Sequence, residues 1–396
     1  MFFDQGSGVR FSEIGRSCGF DNIETQYRPI SENRTPDPGQ QSSFFPDSPP
    51  AMNRTLDLCP FLPPWWLRGA HQQTLAASYW HGRLPHYRAV PRHVTLDDGD
   101  IVVIHDDCPV GWQPGDRAAL LMHGLVGSHQ SPLLVRLATK LNQVGLRVFR
   151  WDMRGCGAGA GLARLPYHAG CSQDLHQVLA SVLTWCRTDL KSPTPDGHDS
   201  VIRQPYLNLF GVSLSGNILL KYLGEAPERI PPELLQAIAV NPPIDLARSV
   251  GTLSGPVTRW YDRHFVGKLV LDLKQRRRLR PDSPMPATNG LPRGLLEFDN
   301  WYTAPISGFS TAQEYYDRCS AEQFLPRIRV PTTVITSRDD PMVPVQMFTA
   351  SLDRWSPQVR LAIAAGGGHV GYFARRGIDP DPFWLDWRIV ELMTAL

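Results

Sequence analysis

The stretch Tyr206 to Gly224 constrains the fold more than any other part of the chain. Strand-forming residues, Tyr206 to Phe210, run into Gly211-Val212-Ser213-Leu214-Ser215-Gly216, and an apolar segment, Ile218 to Leu223, follows and closes at Gly224. A strand that reverses into a buried helix through so few residues needs small side chains where the two pass. Gly211, Ser215 and Gly216 meet that need. Ser213 then sits at the tip of a turn whose backbone is strained by about 1–3 kcal/mol and survives only where its surroundings enforce it. This is the layout of a nucleophile elbow.

The flanking sequence supplies a sheet for such a turn. Val90 to Leu96 and Ile101 to Ile104 are β-rich runs joined by Asp97-Asp98-Gly99-Asp100, a hairpin signal. Ala118 to Met122 and Leu146 to Trp151 read as buried strands. Between them Ser131-Pro132 opens a helix, with Leu134, Leu137, Leu141 and Val144 on one face and Gly145 at its end. Leu175, Val178, Leu179, Val182, Leu183 and Cys186 line a second helix. Gln236 to Val240, Pro331 to Thr336 and Leu361 to Ala364 complete the strands, and Pro382 opens a terminal helix bearing Leu385, Ile389, Leu392, Met393 and Leu396. Such alternation predicts an α/β fold with a mostly parallel sheet covered by helices on both faces. The connection between the strands near 240 and 331 far exceeds an ordinary loop. With helical patches at Arg259 to Leu273 and Thr311 to Cys319 and many aromatics, it predicts a cap inserted over the sheet edge, about 244–325.

Residues 1–55 are rich in Ser, Asn, Asp, Gln, Gly and Pro and read as a disordered leader or linker, leaving 56–396 as the folded domain. Phe61 to Thr74, with Trp65 and Trp66 beside two prolines, reads as a segment pinned against the core or the mouth of a cleft. His71 within it is expected to be structural. Hydrophobic content of 42% and charge of 20% suit a chain of 396 residues with a sizeable core, and a net charge of +2 selects no partner. The basic run Lys274 to Arg280 is expected to be a solvated helix face, because no aromatic interleaving supports nucleic-acid binding. Seven cysteines without a Cys-x-x-Cys pair indicate neither a zinc site nor a disulfide framework. With no run of ~18 apolar residues and no signal-peptide core, the expectation is a cytoplasmic protein whose contact with a membrane, if any, is peripheral.

A serine nucleophile needs a base, and the base needs an orienting acid. Two loops after late strands offer them: Ser337-Arg338-Asp339-Asp340-Pro341 and Gly366-Gly367-Gly368-His369-Val370. Both should emerge at the edge of the sheet that carries Ser213, where ligands bind in open α/β sheets. The order Ser, Asp, His matches α/β-hydrolases and leaves Asp339 and Asp340 as rival acids. Dinucleotide and nucleotide fingerprints and His-Glu-x-x-His are absent from the sequence, so cofactor-free and metal-free chemistry is expected.

Taken together, Gly69-x-His71-x-Gln73-Thr74, His123-Gly124-Leu125 with Gly127-Ser128, Arg154-Gly155-Cys156, Gly211-x-Ser213-Leu214, Glu297-Phe298-Asp299, Tyr315-Tyr316 through Ser320, Asp339-Asp340-Pro341 and Gly368-His369-Val370-Gly371 resemble the YheT-like branch of the α/β-hydrolases. That branch includes the abhydrolase-domain 1 and 3 proteins and yeast medium-chain ethyl ester synthases. The resemblance spans 56–396 and departs at Ser215, where the family usually has Gly. It implies a serine esterase acting on medium-chain or lipid-like esters, with Ser213 as nucleophile, His369 as base and Asp340 as the acid. Backbone N–H groups of Leu125 and Leu214 would form the oxyanion hole, and His123 would shape that loop. Alcohol acyl transfer with the same residues and a non-catalytic binding role are the alternatives.

Met52 stands just before the first globular residues, so translation is expected to start there. Mass spectrometry of the native amino terminus checks this; a peptide mapping within 1–51 rules it out.

Overall fold

The computed structural model describes residues 54–80, 84, 89–188, 206–288 and 290–395. The expected leader and start site lie outside this set, apart from Arg54 and Thr55. Those two add to the sheet edge: Thr55 bridges Leu361 in parallel, and the Leu361 N–H donates to the Arg54 carbonyl (2.8 Å).

Eight strands form one sheet: β1 (Val90–Thr95), β2 (Ile101–Asp107), β3 (Ala118–Met122), β4 (Arg147–Asp152), β5 (Leu207–Val212), β6 (Leu234–Val240), β7 (Thr332–Ser337) and β8 (Val359–Ala364). Their spatial order is β1-β2-β4-β3-β5-β6-β7-β8. Only the β1–β2 and β2–β4 pairs are antiparallel, so the hairpin expected from the Asp-Asp-Gly-Asp turn forms one edge and a parallel sheet occupies the rest. The residues of β3, β4 and β5 are buried on both faces, as strands between two helical layers must be. One core packs α3 (Ser172–Thr188) and α4 (Leu214–Glu225) on one face. A second packs α2 (Pro132–Gln143) and helix Trp384–Thr394 on the other.

The Ser131 hydroxyl makes no cap bond to α2 and instead accepts from Ser128 N–H (3.1 Å) in the preceding loop. Gly224 does not close α4: it lies inside the helix, and a Cβ there would sit 2.1 Å from the Phe324 carbonyl oxygen. Its role is the close approach of the chain entering β7.

Between β6 and β7 the chain is largely helical: α5 (Leu246–Leu253), α6 (Arg259–Leu279), a run from Leu295 to Ile306 with a π-helical turn at Asp299–Thr303, and helix Ala312–Cys319. The basic run on α6 is not wholly solvated, as had been expected. Arg276 is buried and donates to the carbonyls of Ala163, Leu165 and Arg154, which pins the inserted segment to the loop after β4. No helix among the described residues is long and apolar enough to cross a membrane.

In an open helix Gly→Ala stabilises by about 1 kcal/mol. Gly224→Ala should instead destabilise by about 1–3 kcal/mol, because the methyl group meets backbone that cannot swing aside. The denaturation midpoint measures the sign.

Candidate active site

Ser213 is the residue between β5 and α4, and its φ of 54° and ψ of −123° place it in a region that L-residues rarely adopt. Three contacts hold it there. Its N–H donates to the Val240 carbonyl at the end of β6 (2.8 Å), and its carbonyl accepts from Gly216 (2.9 Å). A Cβ on Gly211 would lie 2.6 Å from the Ser215 carbonyl oxygen, so only glycine lets the helix start fold back over the strand end. Ser215, the departure from the family pattern, is fully buried and bonded. Its hydroxyl accepts from Val212 N–H (2.9 Å) and lies within hydrogen-bond distance of the Met122 carbonyl (2.9 Å) at the end of β3.

The structure brings Ser213, His369 and Asp340 into one hydrogen-bonded line: His369 Nε2 is 2.9 Å from Ser213 Oγ, and His369 Nδ1 is 2.8 Å from Asp340 Oδ2. Of the two rival acids, Asp340 meets the imidazole. Asp339 turns to the loop and accepts from Gly368 N–H (2.9 Å). Asp340 is the better-supplied carboxylate. Its Oδ1 accepts from the Met342 (2.8 Å) and Val343 (3.0 Å) N–H groups, and its Oδ2 also accepts from Asn241 Nδ2 (2.5 Å). The Asn241 amide oxygen in turn accepts from the Tyr372 hydroxyl (2.8 Å).

The triple-glycine loop is tightly packed. A Cβ on Gly368 would lie 2.3 Å from the Ala70 carbonyl oxygen of α1 (Ala70–Tyr79). The Thr74 hydroxyl on that helix accepts from His369 N–H (2.8 Å), and Gln73 exchanges hydrogen bonds with the backbone of Phe373. This is what the segment after the two tryptophans does: it seats the loop that carries His369. His71 bonds a side chain, the Tyr261 hydroxyl (3.0 Å), and stacks on that ring.

Leu125 and Leu214 both line the cavity around Ser213. Leu214 begins α4, where backbone N–H groups lack helical partners. The Leu125 loop passes close enough that a Cβ on Gly124 would lie 3.4 Å from the Ser213 Cβ. That loop is braced on every side. Buried His123 is bonded to its neighbour's carbonyl through Nδ1 (2.8 Å) and accepts Met153 N–H at Nε2 (3.3 Å). Burial lowers its pKa, so it stays neutral. Val126 N–H donates to the Tyr167 hydroxyl (2.8 Å). His129 N–H donates to Asp152 Oδ1 (2.7 Å), while the stacked rings of His129 and His105 both reach Asp152 Oδ2. Burial alone would raise the Asp152 pKa, but the hydrogen bonds of the two histidines hold it well below the usual carboxylate range. His105, His129 and Asp152 are residue types that ligate metals, and their ligand atoms lie within 4.8 Å of one another, yet Asp152 Oδ2 is taken up by both imidazoles. That oxygen already accepts Ala158 N–H (2.9 Å) as well, and the group acts as a brace for two loops.

The cavity extends from Ser213 and His369 into the inserted helices. Leu246, Val250, Phe265, Leu269, Leu273 and Phe298 give it an apolar wall. Its polar lining includes His168, Asp272, Arg276 and the π-helical turn, where Asp299 Oδ2 accepts from the Tyr316 hydroxyl (2.7 Å). A π-turn of this kind often marks a functional site.

The fold and this edge of the sheet define an α/β-hydrolase. The family model for serine aminopeptidase S33 hydrolases matches residues 113–372. The putative esterase YheT of Escherichia coli is 28% identical over 342 residues, covering 85% of this chain and 93% of that one. The monoacylglycerol lipase of Saccharomyces cerevisiae is 28% identical over 286 residues (68% and 58% covered), and the yeast medium-chain fatty acid ethyl ester synthase/esterase 2 is 28% identical over 337 residues (78% and 67%). The chain belongs to the S33 hydrolase family, in its YheT-like, esterase/lipase-type branch.

Burial lifts Asp299 to about 6, although hydrogen bonds from Thr303 and Tyr316 pull the other way. A carboxyl whose folded pKa exceeds its unfolded 3.8 binds its proton more tightly in the folded state. Stability should therefore fall as pH rises from ~4 to ~6, by up to about 3 kcal/mol. Denaturation midpoints across this range should be flatter for Asp299→Asn than for wild type; equal slopes would exclude Asp299 as the source.

Proposed function

We propose that the protein is a carboxylic ester hydrolase working through an acyl-enzyme on Ser213. The observation that carries this reading is the single imidazole of His369 bonded at once to Ser213 and Asp340. His369 Nε2 takes the hydroxyl proton as Ser213 Oγ bonds to the ester carbonyl carbon. Asp340 stabilises the resulting imidazolium without taking its proton. The N–H groups of Leu125 and Leu214 receive the tetrahedral oxyanion, each worth about 2.7–4 kcal/mol to the barrier. Collapse breaks the carbon–oxygen bond, and His369 returns the proton to the departing alcohol. Water then attacks the acyl-enzyme with His369 again as base, releasing the acid and restoring Ser213.

The apolar wall supports a medium-chain or lipid-like acyl group, in keeping with what the relatives' names describe. The four hydrogen bonds converging on Asp340 speak against a merely binding role. Alcohol acyl transfer would use the same residues, and nothing in the cavity wall favours it over water.

A fluorophosphonate probe should label the wild type and leave Ser213→Ala unlabelled; equal labelling would sink the proposal. Asp340→Asn should lower kcat by about 10⁴, as loss of the orienting acid does elsewhere. Asp339→Asn should cost far less, because it touches only the loop backbone. Across p-nitrophenyl esters, kcat/KM should rise roughly fourfold per added methylene until the cavity is filled, at ~0.8 kcal/mol each.

A further inference from the structure

The surface beside the catalytic histidine is aromatic to an unusual degree. Trp65 is 80% exposed and Tyr79 is 74% exposed, and Trp66, Leu75, Trp80 and Trp260 are exposed with them. Every exposed tryptophan among the described residues belongs to this set. Ring contacts tie several of them together. The Trp66 and Trp80 rings are 5.5 Å apart, Trp80 stacks on Phe373, and His71 on α1 lies 6.3 Å from the Trp260 ring. Leu75 and Tyr79 are one helical turn apart on α1, on the side away from buried Gln73 and Thr74.

The segment that carries three of these tryptophans has no acidic side chain: from Leu58 to Leu96 the sequence contains no Asp or Glu. Arg68 is exposed within that stretch. Exposed Arg375 and Arg376 join from the far side, where Arg375 N–H donates to the Leu62 carbonyl (2.8 Å), and exposed Arg259 and Arg263 flank Trp260. Tryptophan and tyrosine favour the boundary between lipid headgroups and acyl chains, since one end of each ring is apolar and the other wet. Arginines around such rings meet the phosphates of an anionic lipid surface. The face also adjoins the site: a cleft lined by Thr74, Ala77, Ser78 and Phe373 is lined as well by Ser213 and His369.

We infer that this face docks on an anionic phospholipid bilayer, with the rings of Trp65, Trp66, Tyr79 and Trp80 in the headgroup boundary. The cleft beside α1 then opens toward the lipid. Docking itself is independent of the chemistry at Ser213; its use for delivering lipid-like esters rests on the esterase reading above.

The full-length chain should sediment with phosphatidylserine-containing vesicles, with a blue shift of tryptophan emission, and bind phosphatidylcholine vesicles far less. Added salt should weaken the binding. The double variant Trp65→Ser/Tyr79→Ser should bind about tenfold or more weakly, while its fluorophosphonate labelling and its turnover of a soluble short-chain ester stay at wild-type level. Labelling failure in wild type would strike the esterase reading alone. Equal vesicle binding by variant and wild type, or no binding by either, would overturn the docking proposal. A concentration-dependent dimer, lost in the variant and formed without vesicle binding, would assign the face to a second copy and overturn it as well.

Discussion

The close passage of α4 over the end of β5 sets the geometry of the whole candidate catalytic edge. With no Cβ on Gly211, the Ser215 carbonyl comes within reach of the strand, and the backbone at Ser213 has no room for an ordinary conformation. The same contact aims Ser213 outward and exposes the first N–H groups of α4 beside it. Ser215 strengthens this contact by bonding both the strand it leaves and the Met122 carbonyl on the neighbouring strand. Elbow and Leu125 loop are therefore fixed to each other through β3, which is the relation a two-donor oxyanion hole requires.

Strain is concentrated where the proposed chemistry lies. Among the described residues the non-glycine positions with positive φ are Val126, Ser213, Asn241, Val370 and Tyr372. One is in the Leu125 loop, one is the proposed nucleophile, one bonds the proposed acid, and two follow His369. Each such position costs of order 1–3 kcal/mol and persists only if surrounding contacts outweigh it. Those contacts are visible: Tyr167 on Val126, Val240 on Ser213, and the Asp340–Asn241–Tyr372 chain closing on the histidine loop. The inserted helices roof the cavity with apolar side chains, so the polar groups below them act in a less watery setting than the sheet edge alone would give.

Much of the architecture was legible from periodicity. Strands buried on both faces must be nearly continuous apolar runs, and Ala118 to Met122 reads that way without ambiguity. Gly224 was misread because a glycine at the end of an apolar helical run usually marks a terminus, whereas here it marks a neighbour's backbone. Arg276 was misread because a basic run carries no sign of which member turns inward to unpaired carbonyls. Asn241 escaped notice altogether, and Thr74 was read only as part of the Gly69-x-His71-x-Gln73-Thr74 motif, without a role. A neutral amide after a strand and a threonine in a short helix with little amphipathic pattern resemble countless others, and their partners lie 99 and 295 residues away.

The sequence by itself determined that a small-residue turn would carry Ser213, that Asp and His would follow on later strand ends, and that an aromatic-rich insertion would precede them. These are local facts of size, periodicity and order. Tertiary structure alone decided that the glycine loop is clamped by α1, that Asn241 and Tyr372 back the carboxylate of Asp340, and that the Trp66 and Trp80 rings meet. Each of those depends on how far apart in space two remote segments end, which packing fixes and residue type does not encode.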